Sequence, residues 1–185
     1  KDIELLNSQV ERCNEILKRL TLNPVEEDEF IDKDINIRDY LHEIISSFKE
    51  ISKKEFVFNF DQDSNPKKIT KSIELVYGLR NFIGNANKFA KNTIFINLKS
   101  DSEITEITVE DDGDGYPRDI ISKIGEPYLK SNYSKDKSKE GLGLGLFIGK
   151  TLLEKNFASV NCRNSKTRNG AEVVIRWKNK ELFNI

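Results

Sequence analysis

The stretch Gly141-Leu142-Gly143-Leu144-Gly145-Leu146-Phe147-Ile148-Gly149-Lys150 constrains the fold more than any other part of this chain. Glycine alternates with leucine, and then the spacing turns helical, with Leu146, Phe147, Leu152 and Leu153 able to share one apolar face. Glycine lets the backbone approach a ligand closely. A helix that starts straight after such a run aims free N–H groups and a positive dipole end at whatever lies in front of it. The run therefore predicts an anion site of the phosphate type. By itself it also fits a tight loop that packs a helix onto a sheet.

Two further stretches narrow the choice. Asn81-Phe82-Ile83-Gly84-Asn85-Ala86-Asn87-Lys88-Phe89 lies within a helical pattern, and Asn81 and Asn85, four apart, face the same way. Asp111-Asp112-Gly113-Asp114-Gly115 directly follows the strand-like Ile107-Thr108-Val109-Glu110. This order of motifs resembles the N, G1 and G2 boxes of the ATP-binding domain shared by sensor histidine kinases, gyrase, the Hsp90 chaperones and MutL. The resemblance implies ATP and Mg²⁺ as cofactors.

The bulk composition excludes several classes. With 30 basic and 31 acidic residues and a net charge of −1, the chain offers no nucleic-acid footprint. No apolar run approaches transmembrane length, and no signal peptide is present. Cys13 and Cys162 form neither a disulfide framework nor a metal motif, which fits a reducing cytoplasm. The absence of methionine marks the chain as an excised piece of something longer.

Along the chain, residues 1–22 read as one helix. Ile3, Leu6, Val10, Cys13, Leu17 and Leu20 make an a/d heptad seam that needs a partner helix. Asn23-Pro24 ends it, and 23–34 reads as a linker and domain boundary. The second unit spans 35–185. Its expected elements are a helix over 37–51, a strand over 56–60, a polar turn over 61–68 and a long helix over 74–90. Strands follow around Ile94–Leu98 and Ile107–Val109, then a short helix over 118–124 and a helix over 143–156. Two last alternating strands, Ala158–Cys162 and Val173–Trp177, are separated by Asn169-Gly170, which suits a hairpin turn. The sum is an α/β fold, a two-layer α/β sandwich with helices on one face of a mixed sheet and a single coiled-coil-like helix in front. The motif resemblance implies that the sandwich is of the GHKL (Bergerat) ATP-binding type.

Each candidate site residue has a chemical reason. Asn85 offers Mg²⁺ a hard, neutral amide oxygen and leaves room for triphosphate oxygens. Asn81, one turn earlier, assists at the phosphates; it stands where gyrase-like members carry a water-activating glutamate, and an amide cannot be a general base. Lys88 is placed to neutralise phosphate charge. Asp111 can accept a hydrogen bond from the adenine amine, which guanine lacks at that position. Gly113 and Gly115 let the backbone turn beneath the base, whereas Asp112 and Asp114 read as solvated loop residues. Phe89 lines the adenine site or serves the core. Gly141, Leu142, Gly143, Leu144, Gly145 and Leu146 cradle phosphate. Ile124-Gly125-Glu126-Pro127-Tyr128-Leu129-Lys130 takes the place of the F box, so Lys130 could meet the γ-phosphate, and 116–140 reads as a lid. His42, the only histidine, reads as a surface residue, and Cys162 as a small buried hydrophobe.

Several phrases narrow the family. Ser8 to Cys13, Tyr77 to Asn81, Gly125 to Leu129 and Gly141 to Glu154 are similar to the RegB/PrrB group of redox-responsive sensor kinases. The resemblance implies that residues 1–22 are the second helix of a dimerisation hairpin through which the parent forms a homodimer. It implies a phospho-acceptor histidine upstream of Lys1, onward transfer to a response regulator receiver domain, and a membrane-anchored parent whose kinase portion is cytoplasmic. It marks Cys13 as a redox candidate. A degenerate nucleotide-binding module and a GHKL ATPase are the alternatives.

Overall fold

The computed structural model describes residues 33–61, 68–70, 72–127 and 144–182, all within the compact unit Asp32–Ile185. The helix expected over 1–22, Cys13 within it, and most of the 23–34 linker lie outside the described residues.

Strand β1 (Lys33–Asn36) comes first and pairs antiparallel with β3 (Lys68–Thr70). Neither strand is legible in the sequence. β1 takes in the last two residues assigned to the linker, and β3 takes in Lys68, read as part of a polar turn. The pairing spans some thirty residues of chain, so no local pattern announces it. Helix α1 (Ile37–Lys49) starts at Asn36, whose side chain accepts from the Arg38 amide at 2.9 Å. Its buried residues Ile37, Tyr40, Leu41, Ile44 and Ile45 recur at helical spacing.

The main sheet has the order β2-β4-β5-β7-β6, with β2 (Glu55–Phe60) parallel to β4 (Thr93–Ser100). β5 (Ile104–Asp111), β7 (Ala171–Lys178) and β6 (Ser159–Asn164) continue it antiparallel. Register aligns one apolar row, Ile96, Val109, Val173 and Cys162, and a second, Leu98, Ile107, Ile175 and Val160. The pleat sends the residues between them to the opposite face. There Glu106 pairs with Arg176 and Glu172 with Arg163, while the Arg168 guanidinium sits 3.5 Å from the Phe95 ring centroid. That polar face is why helices cover only the other one.

Helix α2 (Ile73–Phe89) begins at Ser72, whose hydroxyl accepts from the Leu75 amide at 3.1 Å. Helix α4 (Gly145–Lys155) packs directly on it. A Cβ at Gly78 would lie 2.5 Å from Leu153, and one at Gly149 would lie 3.0 Å from Phe82, so the two helices approach where each lacks a side chain. Trp177, fully buried, donates its indole N–H to the Asn156 carbonyl at 3.0 Å and ties the end of α4 to β7. Short helices α3 (Arg118–Ile121) and α5 (Asn179–Leu182) complete the elements.

The two-layer α/β sandwich stands, with smaller corrections. α3 ends at Ile121 instead of Ile124, and α4 starts at Gly145, two residues later than expected. β6 and β7 are not joined by a two-residue turn. Six residues, 165–170, separate them, and of Asn169 and Gly170 only Asn169 has φ in the left-handed region, at 61°. Ser165 organises that loop: its hydroxyl donates to Glu110 and accepts from the amides of Thr167 and Arg168.

Candidate functional site

Asp111 is the last residue of β5 and points to the helix-covered face, only 2% exposed. Its Oδ1 accepts from the Gly113 amide at 2.8 Å and the Ala171 amide at 3.2 Å. Oδ2 accepts from no other described residue. Burial raises the carboxyl pKa, and the two amide bonds only partly offset it. A buried carboxylate with one oxygen fixed and the other without a donor among the described residues is suited to receive a donor from a ligand. The surroundings are stripped of side chains to match. A Cβ at Gly113 would lie 2.5 Å from the Phe89 carbonyl oxygen, and one at Gly170 would overlap the Asp111 carbonyl. Gly115 adopts φ 75°, which an L side chain rarely tolerates. Its neighbour Tyr116 is locked by Asn164, which accepts from the Tyr116 amide at 2.6 Å and donates to its carbonyl at 3.1 Å.

Asn81 faces α4, and Asn81 and Asn85 are both half-buried. Asn81 donates to the Tyr77 carbonyl at 2.8 Å, and its Oδ1 lies 3.6 Å from where a Gly145 Cβ would be. The side chain of Asn85, one turn on, hydrogen-bonds to no described residue, so its amide oxygen is available to a cation. Leu144 precedes α4 without a side-chain cap, which leaves the first-turn N–H groups beyond Asn81 for an anion. Leu144 and Leu146 are half-buried and Gly145 is exposed. Lys88 places its ammonium 5.4 Å from the Phe89 ring centroid, and Phe89 is 42% exposed beside Gly113. Gly141, Leu142, Gly143 and Lys130 lie outside the described residues, as does most of 116–140 beyond Pro127.

One reading needs correction. Asp112 is not a solvated loop residue: its carboxylate accepts from the Lys91 amide at 2.7 Å and the Asn92 amide at 3.0 Å, closing the turn after α2. Partial burial pushes its pKa up, but these backbone bonds outweigh that and hold it below its ordinary value. Asp114 does read as solvated, 77% exposed and paired with Lys91 at 2.6 Å. Cys162 is half-buried where the sequence predicts a buried small hydrophobe; desolvation still pushes its thiol up to about 11, against the pull of Lys150. His42 is exposed on α1 with its ring edge on Phe58 at 4.7 Å.

Among the described residues there is no group of three His, Cys, Asp or Glu able to hold a metal on its own. The donor set fits a cation carried by a phosphorylated ligand: one amide oxygen at Asn85, a second at Asn81, and a helix start for the phosphates.

Residues 70–181 match the family described as histidine kinase-, DNA gyrase B- and HSP90-like ATPases. The chain belongs to this family. The matched range holds every described residue of the site above, from Asn81 through Asp111 to Leu146. Among relatives of this ATPase family, the sensor histidine kinase RegB of Cereibacter sphaeroides is 31% identical over 172 residues, 89% of this chain and 37% of the relative. A putative sensor histidine kinase, NtrY-like, of Rickettsia bellii is 32% identical over 89 residues, 48% of this chain and 13% of that one. The chain thus spans little more than a third of the first relative's length. Among solved structures, a mycobacterial sensor histidine kinase, MprB, superimposes with TM-score 0.64 at 17% identity, covering 80% of this chain and 97% of that one. Full-length ShkA in complex with AMPPNP gives 0.63 at 21%, covering 80% and 32%. These likenesses show the fold: a mixed sheet with helices, as in histidine kinase catalytic domains.

Proposed function

We propose that this chain is the ATP-binding catalytic portion of a two-component sensor histidine kinase. Asp111 would accept a hydrogen bond from the adenine amine on Oδ2, with Gly113 and Gly115 beneath the base and Phe89 at its edge. The first turn of α4, with Gly141, Leu142, Gly143, Leu144, Gly145 and Leu146, would take the phosphates, and Lys88 and Lys130 would offset their charge. Asn85, assisted by Asn81, would hold Mg²⁺, whose charge draws electron density from the transferring phosphoryl group when bound. The observation that carries the reading is the buried Asp111 carboxylate, anchored among the described residues through Oδ1 alone, with Gly113 and Gly170 packed close against it.

Kinase chemistry suits this residue set better than hydrolysis does. A histidine acceptor brings its own nucleophilic nitrogen, so the domain must position the γ-phosphate and stabilise charge. Hydrolysis needs water activated by a base, which Asn81 cannot supply. The similarity to RegB over 89% of the chain favours the same assignment. The acceptor histidine would stand on the first helix of a hairpin whose second helix is 1–22, and dimerisation would run through that hairpin. The phosphoryl group would then pass to an aspartate of a receiver domain. A membrane-anchored parent belongs to the same proposal; among the described residues no helix is long and apolar enough to cross a membrane. Cys13, on the 1–22 seam, is its redox candidate, tested by oxidising the parent kinase with and without Cys13→Ala and assaying autophosphorylation.

Titration calorimetry tests the nucleotide reading. ATP binds wild type, and GTP binds far more weakly. Asp111→Asn removes adenine binding with or without metal, whereas Asn85→Ala loses only the increment that Mg²⁺ adds. Equal ATP affinity in wild type and both variants would falsify the assignment.

A further inference from the structure

We infer that Lys54 is a positioning residue of the nucleotide site, holding the end of α2 against the Asp111 turn and keeping a positive charge near the base-reading carboxylate. This inference rests on the nucleotide reading of Asp111. Lys54 lies in the connection between α1 and β2, outside the 70–181 family match and outside every motif that marks the site.

Its geometry is that of a clamp. The ammonium donates to the Ala90 carbonyl at 2.6 Å and to the Asn87 carbonyl, and lies 3.5 Å from the Lys88 carbonyl. These belong to the last turn of α2, where carbonyls have no helical N–H to receive and where the helix dipole is negative. Ser52 fastens the same connection, accepting from the Lys54 amide at 3.1 Å and donating to the Asn87 side chain at 2.7 Å. From the opposite side, Asp112 takes the amides of Lys91 and Asn92. A cation on the carbonyls and a carboxylate on the amides thus fix one short stretch. Within the stretch that Lys54 holds sits the Phe89 carbonyl, the atom against which Gly113 packs. The packing of the Phe89 carbonyl against the Asp111 turn thus rests on the segment that these two clamps hold.

Lys54 also acts through charge. Among the described residues, the ionisable groups that Asp111 feels are Asp112 beside it in the chain, Tyr116 across the turn and Lys54 from the α1–β2 connection. Of these only Lys54 favours the ionised carboxylate, against burial and against Asp112. An ordinary helix cap would change stability alone. A cap that also serves Asp111 changes the pH at which base binding weakens, because Oδ1 is taken by the Gly113 and Ala171 amides and protonation turns Oδ2 from a full acceptor into an O–H.

The test is ADP affinity without metal, measured by calorimetry from pH 5 to 8, for wild type, Lys54→Arg, Lys54→Met and Lys54→Gln. Lys54→Met is expected to weaken ADP about tenfold and move the acid limb of the binding profile upward by about half a pH unit. Lys54→Arg, which keeps the charge and donors, restores the limb. Lys54→Gln keeps an amide donor on the α2 carbonyls without the charge, and decides the matter if the Met variant does not fold. It should show the same upward limb. Neutral variants whose acid limb coincides with wild type, at any change in melting temperature, reduce Lys54 to a structural cap and overturn the inference. A wild type that binds no ADP overturns the nucleotide reading beneath it, a result distinct from binding that ignores position 54.

Discussion

Asp111 and Asp112 are neighbours whose titrations run in opposite directions, and the difference separates a ligand-binding residue from a structural one. Asp111 has its pKa raised by burial, so the folded state holds its proton more tightly than the unfolded chain does. Its contribution to stability is therefore fully present at acid pH and is lost as pH rises through the folded value. Asp111→Asn keeps an acceptor oxygen for the Gly113 and Ala171 amides and removes the buried charge. Its urea midpoint at pH 7 is expected to equal or exceed that of wild type, with the gap closing toward pH 4, while adenine binding is lost. A large drop in stability at pH 7 would make Asp111 a structural residue first. Asp112 is held below its ordinary 3.8 by backbone N–H donors, burial notwithstanding. Its stabilisation is present above the unfolded value and is lost as pH falls through the folded one. Asp112→Ala should cost about 1 kcal/mol at neutral pH, as loss of a capping carboxylate does, and less at pH 3, below the unfolded value. Urea titrations at both pH values read the difference directly.

At the scale of elements, α2 contains two glycines with opposite expectations. A Cβ at Gly78 would lie 2.5 Å from Leu153 on α4, whereas one at Gly84 would meet Phe48 at an ordinary 3.5 Å. Gly78→Ala should lose about 1–3 kcal/mol by forcing α2 and α4 apart. Gly84→Ala should gain about 0.5–1 kcal/mol from helix propensity. Destabilisation of similar size at both positions, seen in urea melts, would mean that the α2–α4 contact is not what Gly78 serves. This contact also shows where the sequence stops being informative. The alternation in β4, β5 and β7 and the helical spacing of α1 and α2 are local, and each element was legible within a few residues. The asparagines and the Asp111 turn were legible for the same reason, because each motif sits on one element. The Gly78–Gly149 approach joins positions far apart in the chain, and nothing local marks either glycine as a packing site. β1 and β3 are short, and their pairing is set by the partner strand. Asn164 and Lys54 carry no motif, although they lock the backbone of Tyr116 and the end of α2. Gly170 was visible as a turn residue, but its closeness to Asp111 depends on the register of β5 with β7.

For the whole molecule, a domain that presents ATP to a histidine must bind the nucleotide well and hydrolyse it slowly, since water competes with the acceptor for the same phosphoryl group. Three features of this chain lean that way. Asn81 stands on the α2 face toward the start of α4 and is an amide, with its own N–H₂ donated back to Tyr77. Such a group can orient a ligand but cannot take a proton from water. Among the described residues, the Asp111 and Asp112 carboxylates are both engaged by backbone amides. His42, the sole histidine of the sequence, lies on α1 against Phe58, on an element that contributes no residue to the site. Steady-state phosphate release from Mg²⁺-ATP is therefore expected to fall well below about 1 s⁻¹, the low end of ordinary enzyme turnover, under conditions where calorimetry shows the site filled. Both halves of the result are needed. Slow release from an empty site would indicate a domain that has lost its nucleotide. Release at or above that rate from a filled site would require a base that Asn81 does not provide, and would move the chain from the kinases to the hydrolytic members of its family.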